Sequence, residues 1–159
     1  MKTTLILALL ALTISVTAQT PTKPAAAYGP SVTLDAAKKI AAAAEAFAVS
    51  KQYTVVVAIV DTGGNLVMLT KMDNTQLGSI EVAIGKAKTA NNFKRPTKAF
   101  EDVVAGGGAG LKVLGLNVVP VEGGEPIYSA DGKIIGAIGV SGMTSAQDGE
   151  VVKAALGNK

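Results

Sequence analysis

Residues 133–142 read KIIGAIGVSG, an apolar run in which glycine recurs at every third position, as Gly136, Gly139 and Gly142. The run is short and rich in isoleucine and valine, which favours a β-strand. Because a glycine inside a strand packs no side chain, it marks a bend or the close approach of a ligand or of other backbone. Two interpretations follow for this strand, namely contact with a ligand or a helix packed tightly against the sheet.

Helical and strand patterns flank this run along the rest of the chain. A tight turn at Asp131-Gly132 joins the glycine-spaced run to the strand pattern before it. Residues 61–65 (DTGGN) form a second turn, which joins two earlier strand patterns. Because hairpins dominate, the sequence predicts an α+β fold with a mainly antiparallel sheet and helices packed against it. The first predicted helix begins at residue 33, and three more helices are predicted at 76–91, 97–105 and 144–155. The predicted strands cover 53–60, 66–70, 118–121, 126–129 and 133–140.

Helical spacing also predicts which residues face the core. Thr33 is the predicted N-cap of the first helix, and Thr144 with Gln147 has the pattern of a capping box. The predicted core face of the first helix is Ile40, Ala43, Ala44 and Phe47, and that of the second is Leu77, Ile80, Ile84, Ala87 and Asn91.

Composition excludes several classes of function. The chain has 159 residues, of which 48% are hydrophobic and 4% aromatic, with a formal charge of +3 and neither histidine nor cysteine. This length suits one domain with a real core, and the scattered basic residues give no nucleic-acid footprint. Without histidine or cysteine, Ser-His-Asp and Cys-His catalysis, ordinary zinc sites and iron–sulfur sites are excluded.

The first 30 residues have the composition of an export segment. Lys2 is followed by an apolar run at 5–12, and small residues end at Ala18, which predicts a signal peptide over 1–18. The apolar run is too short to span a bilayer, so no stable membrane anchor is expected after cleavage. Residues 19–30 are rich in proline and alanine and are predicted to be a flexible leader before a domain at 31–159. The predicted location is the periplasm or the exterior.

A polar stripe beside the core face of the second helix is the first candidate ligand site. Glu81, Gly85, Lys88 and Asn92 share this stripe, and Gly85 would leave a notch between an acid and a base. The notch would suit a small polar ligand, whereas the alternative is a salt-bridged helix edge. Lys86 is predicted to point away from the stripe into solvent.

Two glycine clusters further along the chain have different interpretations. The triple glycine at 106–108 matches no phosphate-binding motif, so it is interpreted as a helix end and loop. Gly123 and Gly124 precede a predicted strand and leave its backbone reachable, which suits either a ligand or close packing.

Together these blocks resemble the GlcG/HbpS-like haem-binding family. The resemblance rests on VDTGGNLV (60–67), LGSIEVAIGKAKTA (77–90), RPT (95–97), GGEPI (123–127) and GAIGVSG (136–142) followed by Asp148. It implies a profilin-like fold with a five-stranded antiparallel sheet of order 2-1-5-4-3 and helices on both faces. It also implies assembly of the chain with itself into dimers or rings, and binding or degradation of haem.

The resemblance implies a haem site that has no histidine ligand in this chain. Lys88 and Arg95 are candidates for pairing with the haem propionates. The remaining candidates for the axial iron ligand are Tyr28, Tyr53, Tyr128, Met68, Met72, Met143 and Lys88.

Two alternatives to haem stay open. In one, Lys88 and Arg95 hold the carboxylate of a small hydroxy- or oxo-acid, while Asp148 or Glu81 moves a proton. In the other, the protein is an assembly module without a ligand.

Overall fold

The structure, a computed structural model, describes residues 25–157. The predicted signal peptide and the first part of the predicted leader lie outside these residues. The elements are α1 (Leu34–Ser50), β1 (Val56–Val60), β2 (Leu66–Lys71), α2 (Ser79–Phe93), α3 (Lys98–Ala105), a 3₁₀ segment (Gly108–Gly115), β3 (Gly124–Tyr128), β4 (Ile134–Ser141) and α4 (Ser145–Ala155).

The sheet is antiparallel throughout, with four strands in the order β2-β1-β4-β3. The predicted α+β class with an antiparallel sheet is therefore confirmed. The central strand β1 is fully buried, as its continuous apolar run predicted. Ahead of the domain, the backbone of Tyr28 forms a parallel bridge with Ile134, so part of the predicted leader lies against the end of β4. None of the helices between residues 25 and 157 is long and apolar enough to cross a membrane.

The predicted strand at residues 118–121 is wrong, and within residues 25–157 the sheet has no fifth strand. Backbone amides of this segment have other acceptors instead. The amide of Val119 donates to the Thr89 hydroxyl at 2.9 Å, and those of Val118 and Val121 donate to the nearby carbonyls of Leu116 and Val119. Because these donors are already satisfied, the segment does not pair with β3, which is left at the edge of the sheet. The profilin-like assignment stays a prediction.

Helices cover both faces of the sheet, as predicted. On one face α2 packs against Val56, Ala58 and Val60 of β1. On the other, α1 and α4 pack against Val57 and Ile59, the alternate residues of the same strand. The sheet thus lies between α2 and the α1–α4 layer.

The core face predicted for α2 is wrong at Leu77, which precedes the helix and is 78% exposed. Ile80 and Ile84 are partly buried against the core, and Ala87 and Asn91 are fully buried. The fully buried positions of α2 carry small or polar side chains, namely Ser79, Ala83, Lys86, Ala87, Thr89, Ala90 and Asn91. Small side chains let the helix backbone approach the glycines of β4 closely.

Gly139 shows how close this approach is. A Cβ atom at Gly139 would overlap the carbonyl oxygen of Ala83 and lie 2.5 Å from the amide nitrogen of Ala87. A Cβ atom at Gly136 would overlap the carbonyl oxygen of Val60 in β1, and one at Gly142 would overlap the carbonyl oxygen of Thr54, just before β1. Close packing is therefore what these three glycines make possible.

The observed ends of the helices match the sequence predictions more closely than their buried faces do. The Thr33 hydroxyl accepts from the amide of Ala36 at 3.2 Å, and the capping box at Thr144 is formed. α3 ends just before Gly106, as predicted. The 3₁₀ segment that follows α3 was not predicted. On α1 the buried positions are Ala37, Ala41, Ala44 and Ala48, whereas Ala43, which was assigned to the core, is exposed.

Candidate functional site

Lys86 is the largest side chain that the fold buries completely, with 1% of its surface exposed. The prediction that it points into solvent is wrong. Lys86 follows Ala83 by three residues and precedes Ala90 by four, so it lies on the helix face that packs against the sheet. Its ammonium donates to the Asp148 carboxylate at 2.8 Å and to the carbonyl of Val140 at 3.0 Å.

Asp148 lies in the first turn of α4 and completes this buried ion pair. Its second carboxylate oxygen accepts from the backbone amide of Met143 at 3.0 Å, and the residue is 2% exposed. Burial raises the pKa of Asp148 above its ordinary value, while the Lys86 ammonium and backbone amides oppose that rise. In this conformation the carboxylate does not face solvent, so it is not placed to exchange a proton with a ligand.

Gly123 and Gly124 pack directly against the Lys86–Asp148 ion pair. A Cβ atom at Gly123, whose φ is +117°, would lie 2.8 Å from the Cβ of Asp148 and 2.9 Å from the Lys86 ammonium. One at Gly124 would lie 2.6 Å from the carbonyl oxygen of Lys86. Both glycines therefore make room for the buried lysine, and their backbone is covered by α2 and by Thr97, whose hydroxyl binds the Gly124 amide at 2.9 Å.

The polar stripe of α2 lies on the surface, where Glu81 and Lys88 are exposed. The expected notch at Gly85 is filled, because Cγ2 of Val119 lies 2.5 Å from where a Cβ would stand. Arg95, beyond the end of the helix, is exposed and lies over the ring of Phe100 at 5.5 Å. The structure thus separates the predicted site residues into the buried group around Asp148 and exposed charges on the α2 side.

An acidic cluster lies beyond the ion pair, where α4 passes β3. The Lys153 ammonium is 3.2 Å from a carboxylate oxygen of Glu122, which is nearly buried. Burial raises the pKa of Glu125, the Lys153 charge opposes this rise, and the Glu122 charge adds to it. Across residues 25–157, no group of three or more acidic side chains is arranged to hold a metal ion.

An open cleft lies where β3 meets the end of α4. Its volume is about 150 Å³, and it is lined by Pro126, Ile127, Tyr128 and Leu156. Ile127 and Leu156 pack on the side of the α1–α4 layer, whereas Pro126 pairs with Ala137 of the α2 face, so the cleft lies at the edge of the sheet. Tyr128 is 51% exposed at its rim, and burial of the remainder together with the Glu125 charge raises the pKa of the phenol.

The chain's donor atoms restrict how a haem iron could be held. Haem proteins use histidine, cysteine, methionine or tyrosine as the protein ligand, and the first two do not occur here. Met68, Met72 and Met143 pack against the core. Tyr128 meets the chemical requirement for an iron ligand, but the cleft beside it, at about 150 Å³, is too small to hold a porphyrin, so it does not fit haem.

Comparison with known proteins identifies the family. The model for the haem degrading protein HbpS-like family matches residues 32–157. The chain belongs to the HbpS-like haem-degrading family. An uncharacterized 15.0 kDa protein of Citrobacter freundii, from the dhaT-dhaS intergenic region, is 37% identical over 127 residues, which cover 79% of this chain and 89% of that protein.

Two further relatives extend this comparison. Protein GlcG of Escherichia coli strain K12 is 40% identical over 105 residues, which cover 66% of this chain and 77% of GlcG. The crystal structure of a PduOC–haem complex matches with a TM-score of 0.71 and 32% identity, covering 80% of this chain and 94% of that one. The predicted GlcG/HbpS-like family is thereby confirmed.

The sequence contained signals for part of the site that were assigned differently. Lys86 keeps helical spacing with Ala83 and Ala90, and that stripe of small residues would have shown it to be buried. The cleft has a weaker signal, because Pro126 and Ile127 lie in an ordinary strand pattern and Leu156 lies just past the last predicted helix. Tyr128 was one of seven axial candidates, and only its position on the cleft distinguishes it.

Proposed function

We propose that this protein is an exported haem-binding or haem-handling member of its family. The observation that carries the proposal is the shared fold, at 32% identity, with a PduOC structure that contains haem. The family model, which describes haem-degrading proteins, supports the same chemistry.

Titration of the purified protein with ferric haem tests this proposal. We expect a Soret band that shifts and saturates at one haem per chain or per pair of chains. Titration of a small hydroxy-acid into the same protein, followed by thermal unfolding, is the matched experiment for the alternative function. A small acid that raises the melting temperature, together with no saturable haem band, would contradict the haem proposal.

Export and self-assembly are part of the same proposal. The composition of residues 1–18 supports export to the periplasm or exterior, with the mature chain beginning at or near Gln19. The intact mass of protein recovered from the exporting organism tests this. Exposed leucines in the 3₁₀ segment and just after it (Leu111, Leu114 and Leu116) support assembly into a homo-oligomer. Sedimentation at several concentrations measures the subunit number.

The small-acid alternative has less support in the geometry. It required Lys88 and Arg95 to hold a carboxylate near Asp148 or Glu81. Asp148 is buried and bound to Lys86, whereas the other three are exposed.

A further inference from the structure

The 3₁₀ segment and the residues on either side of it combine an apolar sequence with an exposed position. Residues 103–121 (VVAGGGAGLKVLGLNVVPV) contain a single charged side chain, that of Lys112. The fold buries none of these residues completely, and Val103, Leu111 and Leu114 are among those that are exposed. Because apolar side chains gain free energy when they leave water, a stretch of this composition on the surface is typical of a face that a partner covers.

The local geometry holds the exposed apolar side chains together. Gly110 packs against α3, where a Cβ atom would overlap the carbonyl oxygen of Val103, so Val103 lies beside the residue that precedes Leu111. In a 3₁₀ helix, side chains three residues apart lie one above the other, which aligns Leu111 with Leu114. Leu116 follows directly after the segment. These four residues, Val103, Leu111, Leu114 and Leu116, are called the leucine face below.

The conformation of the 3₁₀ segment also indicates a contact outside the chain. Its eight residues exceed the usual run of about three or four, because 3₁₀ hydrogen bonds have poorer geometry than those of an α-helix. None of the eight is buried, so packing within residues 25–157 does little to compensate for this geometry. Burial of Leu111 and Leu114 against a partner supplies the missing packing.

A second copy of this chain is the partner that best fits the leucine face. The face carries both signs of charge, with Lys112 among the leucines and Asp102 exposed on α3 next to Val103. A copy related by a two-fold axis presents the same mixture, whereas a nucleic acid or an anionic membrane selects a uniformly basic surface. The extent of residues 103–121 also approaches what a stable interface uses on each side, about 20–30 residues.

We propose that the leucine face is a symmetrical interface between two copies of this chain. Leu111 and Leu114 of one copy pack against the leucine face of the other, and each contributes twice because a two-fold axis repeats every contact. The inference rests on the self-assembly part of the proposed function and does not depend on whether haem binds.

The test compares the purified protein with its Leu114→Lys variant by sedimentation equilibrium over a wide range of concentration. Leu77→Lys is the matched control, because Leu77 is more exposed than Leu114 and lies ahead of α2, outside the leucine face. We expect the unmodified chain and Leu77→Lys to form dimers with the same dissociation constant. Leu114→Lys should raise this constant at least about tenfold, since it places an unpaired charge in the interface twice. Because both leucines are exposed in the single chain, circular dichroism should show that both variants are folded.

A second experiment gives an independent result, and it uses the absence of cysteine from the chain. Leu114→Cys and Leu77→Cys each introduce one thiol. A short bifunctional maleimide should link Leu114→Cys into covalent dimers at a concentration where Leu77→Cys stays largely unlinked, because only the first pair of thiols meets across the proposed interface.

The outcomes separate the interface from self-assembly. Dimers that both lysine variants leave equally stable, with equal cross-linking of the two cysteine variants, would overturn the interface and leave self-assembly intact. A chain that is monomeric at every concentration would overturn both, while the haem proposal is tested separately by the Soret titration. A monomer that sediments with phosphatidylcholine vesicles, and is released from them by Leu114→Lys, would identify the face as a lipid contact and also overturn the interface.

Discussion

The interior around Lys86 and the cleft around Tyr128 contrast in almost every physical respect. At Lys86 an ion pair is sealed between α2, β4 and α4, with glycines where any side chain would collide. At Tyr128 apolar side chains and a phenol line an open depression at the edge of the sheet. The ion pair at Lys86 is charged but closed to solvent, whereas the cleft at Tyr128 is open to solvent but is not lined by an ion pair.

The contrast shows that glycines and charges in a sequence do not by themselves indicate a ligand. Gly123, Gly124 and Asp148 were predicted to bind one, and in the structure each contributes to the packing or pairing of Lys86. A ligand needs unfilled space that solvent reaches. That space occurs beside residues with an ordinary strand pattern, at Pro126 and Ile127.

Lys86→Met should destabilise the fold most, because it leaves the Asp148 carboxylate buried without its cation. Removing one partner of a buried pair costs about 3–5 kcal/mol, so we expect the free energy of unfolding at neutral pH to fall by that amount. Chemical denaturation measures it. Lys88→Met, two residues away on the exposed side of the same helix, is the matched control and should change stability by less than about 0.5 kcal/mol.

The pH dependence of Lys86→Met follows from the pKa of Asp148. Burial already raises this pKa, and loss of the ammonium should raise it further. The neutral carboxyl is the form that the fold then tolerates, so the stability present at acid pH should be lost as the pH rises through the raised pKa. Adding Asp148→Leu should recover much of the loss at neutral pH, and a double variant as unstable as Lys86→Met would contradict the ion-pair explanation.

A second way to break the interior is Gly139→Ala, which adds one methyl group where α2 touches β4. That methyl would overlap the carbonyl oxygen of Ala83, and backbone atoms cannot move aside as a side chain can. We expect a loss of about 1–3 kcal/mol, the usual cost of overpacking. Gly78→Ala is the control, because no atom lies within 4 Å of its added methyl group. Equal melting temperatures for the two variants would refute the close-packing interpretation.

The sequence was most informative where local patterns decide the structure. The caps at Thr33 and Thr144, the turn at 131–132 and the buried strand β1 all followed from short-range chemistry. The predicted strand at 118–121 does not form because its amides bind the Thr89 hydroxyl of α2 and nearby backbone carbonyls, and the sequence does not show a contact between segments as distant as 89 and 119.

The candidate site was less predictable than the fold for a related reason. A lysine is normally solvated, so its burial depends on partners that come from three separate segments. The notch at Gly85 was filled by Val119, more than thirty residues away. Helical spacing identifies which residues share a face, but neither which face is buried nor what fills a gap in it.

Gly85→Ala tests the notch on α2 that Val119 fills, and we expect it to have a smaller effect on stability. The added methyl group would meet Cγ2 of Val119 at 2.5 Å, and this atom belongs to a side chain in a segment without regular strand pairing. We expect a loss of at most about 1 kcal/mol, because displacement of Val119 relieves part of the overlap while alanine favours the helix. Thermal unfolding measures the loss. Haem affinity should not change, and a large loss of it would indicate that the ligand lies at Gly85.

Charge reversal at Lys88 or Arg95 should have the smallest effect. The family resemblance implies that these residues pair with haem propionates, whereas in the structure both side chains are exposed. Because exposed charges are screened within about 8 Å at physiological salt, Lys88→Glu and Arg95→Glu should each change the haem Kd by less than about twofold. A loss of more than about fivefold on reversal of either residue would restore the propionate pairing that the resemblance implies.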